Sequence, residues 1–347
     1  MSSITLAPFQ PAPQEARSPV VWIISRQEDL AWFIGSALAG YYAIALMWLG
    51  FPLLLIQVVW LFAIDGPHVL ATITRTYFDR AERKKLGWLL WMIVPLLMVG
   101  PVMSMAGQAP LFFLLAFCWQ QVHVVKQHVG FAMIYKAKNR ERDAFDRTLD
   151  RYFLLASLVV PLGLFLLATH RQLDAFASPI RTGALTAYGV LGLLWLARQI
   201  QKLRSGAVMN WPKVALLAVT IPLQWLALGF ATRFGPSGIL QAAIPLGLFH
   251  GLQYHRLMWF HNRNRYTVPG ALERNGLAAR LVGSVGIYLA VAIGLNFVLG
   301  FYIPQILLPY QVIQASLWGI SFTHYFLDAR IWHVRNDREL AVALRMA

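Results

Sequence analysis

Apolar and polar positions alternate along this chain on a long period, as runs of roughly 20 apolar residues separated by short polar connections. A helix that crosses the hydrocarbon core of a bilayer needs about 20 such residues. On that measure the pattern predicts ten spans, over 30–49, 52–77, 86–106, 109–135, 151–170, 182–200, 212–231, 238–261, 279–302 and 305–330. Pro52, Pro110, Pro212 and Pro304 stand near segment starts, where a missing N–H costs no helical hydrogen bond. The expected fold is an all-α polytopic transmembrane helical bundle. A polar lead-in (1–29) without a signal-peptide core precedes one helical domain (30–335), and a short tail (336–347) follows it. No linker is long enough to separate a second domain, and the most polar stretch, 136–151, reads as a helical extension.

The connections are of two kinds. Arg75, Arg80, Arg83, Lys84 and Lys85 follow the second segment, and Lys136, Lys138, Arg140, Arg142, Arg147 and Arg151 follow the fourth. Similar clusters follow the sixth, eighth and tenth, while the alternate connections carry only Arg171, Arg181 and Arg233. Loops rich in Lys and Arg stay on the cytoplasmic side. Both termini are therefore expected to be cytoplasmic, and the membrane to be a bacterial cytoplasmic (inner) membrane.

Composition sharpens this reading. Of 347 residues, 58% are hydrophobic and 13% charged, against about 45–50% and 25% in soluble domains. The net charge of +15 sits in the interhelical clusters, so no nucleic-acid partner is expected. The single Cys118 excludes a disulfide framework and a thiolate metal box.

Candidate chemistry lies where the apolar runs are interrupted. Eight of the nine histidines (His68, His123, His128, His250, His255, His261, His324 and His333) belong to segments two, four, eight and ten or their ends. All four segments run toward the cytoplasm. His128 and His255 each precede a cation (Lys136, Arg263) by eight residues, about 12 Å at 1.5 Å per residue, and His123 and His250 by thirteen, about 20 Å. His68 and Asp328 each lie seven residues before an arginine, about 10 Å. Imidazoles and carboxylates at matching depth on four helices point to a shared centre, because polar groups in lipid need partners.

Asp65 and His68 share a helix face, as do His324 and Asp328. The members of each His-x4-His pair are turned about 140° apart, so one can face a common centre while the other faces a neighbour. His68, His128, His255 and His324 are the expected joint ligands, with His123 and His250 ligating a second metal or orienting the first. Asp328 or Asp65 adds a carboxylate. Imidazole with carboxylate suits iron, one ion or two, with zinc or manganese as alternatives. Gln120, Gln121, Lys126, Gln127 and Gln253 are candidate contacts to ligands or substrate, Asp65, Lys126 and Gln253 being the candidate catalytic groups; Lys126 could instead snorkel to the interface. His261 and His333 read as interfacial, His170 as a loop residue, and Arg75, Arg256 and Arg330 as headgroup anchors.

This arrangement resembles the histidine-rich integral-membrane non-haem iron oxygenases, the desaturases and the lipid and alkane hydroxylases, although their His-x3-His and His-x2-His-His boxes are absent. Asp65-Gly66-Pro67-His68 and His250-Gly-Leu-Gln-Tyr-His255 are also similar to motifs of the bacteriorhodopsin-related carotene dioxygenases, with a different order in the first and a different spacing in the second. The resemblance implies an iron centre that uses O2 on a lipid-soluble substrate, such as a fatty acyl chain, an alkane or an isoprenoid. An electron-donor protein on the cytoplasmic side is expected with it. A proton- or cation-coupled transporter is the alternative, in which Asp65-Gly66-Pro67 would break a helix at depth. A haem-binding membrane cytochrome is the third.

Overall fold

In lipid the backbone polar groups have only one another as partners, so an apolar run can satisfy them locally only as a helix. The computed structural model, which describes residues 20–282, 284–298 and 310–346, is helical without a strand among those residues. Among the described residues seven stretches are long and apolar enough to cross a membrane: Arg26–Trp48 (α1), Leu53–Thr76 (α2), Arg80–Met105 (α3), Ala109–Lys138 (α4), Ala144–Thr169 (α5), Arg171–Arg204 (α6) and Trp211–Tyr266. The last is interrupted at Gly235, whose φ of 58° and ψ of −146° end one helix, Trp211–Ala231 (α7), before another, Ile239–Tyr266 (α8). Val285–Phe297 (α9) and Tyr310–Ile331 (α10) occupy parts of the last two predicted segments. Residues 1–19 of the lead-in, the end of the ninth predicted segment, and the start of the tenth with Pro304 lie outside the described residues.

The packing places the four histidine-bearing helices in a ring. α2 contacts α8 and α10, and α4 contacts the same two, so the order around the ring is α2–α8–α4–α10. α1 and α7 back this ring from the α8 side, α3 packs along α10, and α5 carries α6 on its outer side. The most apolar 18-residue window of α6 has no buried residue. A helix apolar on its exposed faces is one whose solvent is lipid.

Between helices in lipid there is no water to expel, so close van der Waals fit carries the association. The α3–α10 contact shows this. A Cβ on Gly319 would come within 2.5 Å of the Leu97 backbone, and one on Gly100 within 2.3 Å of the Ala315 carbonyl. Only glycine lets the two backbones approach so closely.

α2 departs from a regular helix at the site. Trp60–Asp65 is a π-helical turn, continuous with the α-helix that begins at Gly66. Pro67 has no N–H to offer the preceding turn, and a π-turn is a common way to absorb such a mismatch. The Leu61 carbonyl accepts from the Gly66 N–H and from Asn296 Nδ2 of α9 at 3.0 Å. The expected break at Asp65-Gly66-Pro67 is thus a widened turn, and the helix runs on through His68.

The polar stretch 136–151 is mostly helix end. α4 continues to Lys138, and Asp143 caps α5 by accepting the Asp146 N–H at 2.7 Å. The charges there face one another. Lys213 of α7 reaches Asp150 at 2.8 Å and Glu141 at 3.0 Å, Lys136 pairs with the same two acids, and Lys202 of α6 reaches Asp146 at 2.6 Å. This network ties α4, α5, α6 and α7 at one end of the bundle.

Candidate metal centre

Each helix of the ring contributes one imidazole to the same point. His68 of α2, His123 of α4, His250 of α8 and His324 of α10 each place a ring nitrogen so that all four lie within 4.8 Å of one another. The rings form a closed square. Centroids are 4.7 Å apart for His68–His324 and for His324–His123, 4.9 Å for His123–His250 and 5.0 Å for His250–His68. All four side chains are buried. Gly251, next to His250, lets α8 close on α2, where a Cβ would come within 2.8 Å of Ile64.

The hydrogen bonding around the square is incomplete in an informative way. His68 Nδ1, His123 Nε2 and both nitrogens of His250 are buried without a hydrogen-bond partner. A buried polar atom left unpaired costs about 1–3 kcal/mol, so bare nitrogens on His123 and His250, on facing helices of the square, call for a partner. A cation satisfies several bare nitrogens at once.

His324 shows which nitrogen faces inward. Thr72 Oγ1, one turn beyond His68 on α2, donates to Asp328 Oδ1 at 2.7 Å and lies 2.7 Å from His324 Nδ1. A hydroxyl has a single proton. With that proton on Asp328, the threonine oxygen accepts, and His324 Nδ1 carries its hydrogen. The bare Nε2 of His324 then points at His68 Nε2, 3.1 Å away. Those two nitrogens would hold an ion from adjacent corners of the square. Tyr254 OH completes the set, 2.6 Å from Thr72 and donating to Asp328 at 3.0 Å.

Of the expected ligands, His68 and His324 lie in the square and His128 and His255 do not. His128 Nδ1 sits 2.9 Å from the Val124 carbonyl of its own helix, and its ring packs against Phe249. His255 Nε2 bonds the Ile64 carbonyl of the π-turn at 3.0 Å, with its ring 6.4 Å from that of His68. The other member of each His-x4-His pair, His123 and His250, takes the inward position. Asp65 and Asp328 stand behind the ligands, each with a carboxylate oxygen 3.6 Å from Nδ1 of His68 or His324.

Gln253 Nε2 donates to the Phe33 carbonyl of α1 at 2.7 Å, and Gln253 Oε1 accepts from Gln127 at 3.2 Å. Gln121 accepts from Gln224 of α7. These amides stitch helices together. Arg75 and His261 are deeply buried where the sequence suggested headgroup or interface positions. Arg75 donates to the Ile331 carbonyl at 2.8 Å with its guanidinium 4.1 Å from the Trp332 ring, and His261 also packs on Trp332. Arg256 pairs with Glu28 at 2.7 Å.

Thr72, Tyr254 and Tyr325 escaped sequence reading. Tyr325 stacks on His123 with centroids 4.5 Å apart. The one sequence signal for Thr72 was its place four residues after His68, on the same face of α2. A cavity of about 480 Å³ opens against the square, with His123, Lys126, Tyr254, Tyr325, Asp328 and Trp332 in its wall.

Comparison of the chain with protein-family models, with curated proteins and with solved structures finds no match.

Proposed function

We propose that this protein is an integral-membrane, metal-dependent oxidoreductase, a non-haem iron oxygenase acting on a lipid-soluble substrate. The observation that carries the reading is the square of four buried imidazoles from four helices, each with a ring nitrogen within 4.8 Å of the other three. Imidazole donors suit iron, as they suit zinc, copper and nickel. Ring nitrogens this close together enclose a bare ion and leave no slot for a haem.

In this reading His68, His123, His250 and His324 hold the ion. Iron held there would supply the redox chemistry, turning O2 on a bond of the substrate. The chain's own groups set the stage for it. Thr72 and Asp328 hold the His324 proton on Nδ1 and so present Nε2 to the ion. Tyr325 and Tyr254 wall the site beside the cavity, through which a substrate from the bilayer reaches His123. Burial of the square keeps water from competing for the centre.

The topology that accompanies this reading is ten membrane crossings with both termini cytoplasmic, supported by the alternation of Lys- and Arg-rich connections. It puts His123 and His250 near the middle of α4 and α8, with an electron-donor protein reaching the bundle from the cytoplasmic side of a bacterial inner membrane.

Metal content of the detergent-purified protein, read by plasma mass spectrometry beside its visible spectrum, tests the proposal. Near-stoichiometric iron without a Soret band is expected, lost in a His123→Ala/His250→Ala variant and retained in His128→Ala. Metal-free protein after metal-replete expression would overturn it, as would equal retention by the His123→Ala/His250→Ala variant.

A further inference from the structure

The cavity beside the square carries one feature that a metal centre does not need. Lys126 of α4 lies in its wall, one helical turn from His123, inside a membrane-length helix. Its side chain is exposed, in the lining of the cavity, and a cation within a membrane span is costly and calls for a partner. The two acids near the square are committed elsewhere, Asp65 toward His68 and Asp328 to Thr72 and Tyr254. Among the described residues no ion pair includes Lys126. Nor can its stem carry the charge to water at the end of α4. It precedes the terminal Lys138 by twelve residues, about 18 Å along the axis, farther than a lysine side chain reaches.

A second observation comes from the next turn of the same face. Gly130 lines the cavity, and a Cβ placed on it would meet nothing within 4 Å. Glycine in a helix interior costs about 1 kcal/mol relative to alanine, and here no packing demands it. What it provides is width, along a wall that is otherwise mostly apolar and aromatic. The volume of about 480 Å³ falls in the usual range for small-molecule sites, roughly 300–1,000 Å³.

We propose that this cavity binds a single-chain, lipid-soluble acid, whose anionic head pairs with Lys126 and whose apolar chain fills the space over Gly130. The proposal rests on the metal-centre reading in one respect. Because one turn of helix separates Lys126 from His123, the carbons nearest the head are those presented to the centre.

Binding is read on the full-length protein in detergent, metal-loaded and chelator-treated, by quenching of tryptophan fluorescence, since Trp119 and Trp332 line the cavity. The probes are 9,10-dibromostearate and the corresponding neutral alcohol, 9,10-dibromooctadecanol. The acid is expected to bind at least tenfold more tightly than the alcohol. Lys126→Gln should abolish that preference, Lys126→Arg should keep it, and Gly130→Leu should weaken both probes at least tenfold. Displacement of the bromoacid by oleate alone assigns the head as a carboxylate, and displacement also by oleoyl-lysophosphatidate widens the class to phosphate-headed chains. Equal affinity for acid and alcohol, or a preference that survives Lys126→Gln, overturns the proposal, and so does displacement by neither competitor. Should Gly130→Leu fail to fold, the lysine variants decide alone. Acid preference lost with iron still bound sinks this inference only, whereas acid preference kept in a protein that never holds metal sinks the oxygenase reading only.

Discussion

Thr72→Val is the most telling single change at the centre. Valine keeps the shape and β-branching of threonine, so packing on α2 is preserved and only the hydroxyl is lost. That hydroxyl donates to Asp328 and accepts from His324 Nδ1, each at 2.7 Å, with Tyr254 OH at 2.6 Å. His324 keeps Asp328 Oδ1 3.6 Å away, too far for a direct bond. Its imidazole then loses the group that fixes both tautomer and ring orientation. Loss of such a supporting hydrogen bond costs about 10–100-fold in metal affinity, equivalent to about 1.4–2.8 kcal/mol. The assay is a chelator competition on purified protein, run beside Thr74→Val. Thr74 is also buried, but its hydroxyl donates to the Ala71 carbonyl of its own helix, at 2.7 Å. Thr72→Val should weaken metal binding at least tenfold and Thr74→Val less than twofold. If the two variants bind metal alike, Thr72 does not orient His324, and the tautomer argued from its single proton is wrong.

Gly319→Leu should lower the thermal unfolding midpoint in detergent, since its Cβ meets the Leu97 backbone at 2.5 Å, and overpacking costs about 1–3 kcal/mol. A midpoint equal to that of Gly294→Leu, where a Cβ has open space, would refute the close α3–α10 contact. The polar end of the bundle should be acid-sensitive. Burial alone would raise the Glu141 carboxyl, but Lys213 and Lys136 outweigh it and hold its pKa below the ordinary value. A carboxyl depressed by folding contributes stability that is complete above its unfolded pKa, about 4.3, and is lost as pH falls through the lower folded value. Glu141→Gln should therefore destabilise the protein at pH 7 and flatten the fall in its unfolding midpoint below pH 4.3, and parallel curves for the two proteins would count against the network.

The chain alone determined that this is an all-helical protein with apolar helices of membrane length, and which four segments carry most of its imidazoles. Those features depend on residue type and spacing, about 20 apolar residues per crossing; the depths counted from the basic clusters singled out His128 and His255 with His68, whereas the structure gathers His123 and His250. The chain also placed His68 with Asp65 and His324 with Asp328, because pairs three or four apart share a face on any helix. Only the packed structure decided which member of each His-x4-His pair faces inward. Five residues advance a helix by about 140°, so inward and sideways positions are equally available until neighbours fix the rotation. With α8 pressed on α2 at Gly251 and on α1 through Gln253, its rotation brings His250 into the square and leaves His255 on the Ile64 carbonyl, while α4 turns His123 inward and leaves His128 on the Val124 carbonyl of its own helix. The same holds for Arg75 and His261, whose places at segment ends suggested the membrane surface. What encloses them is Trp332 from α10's far end, a neighbour across 257 and 71 residues of chain that no local pattern could announce.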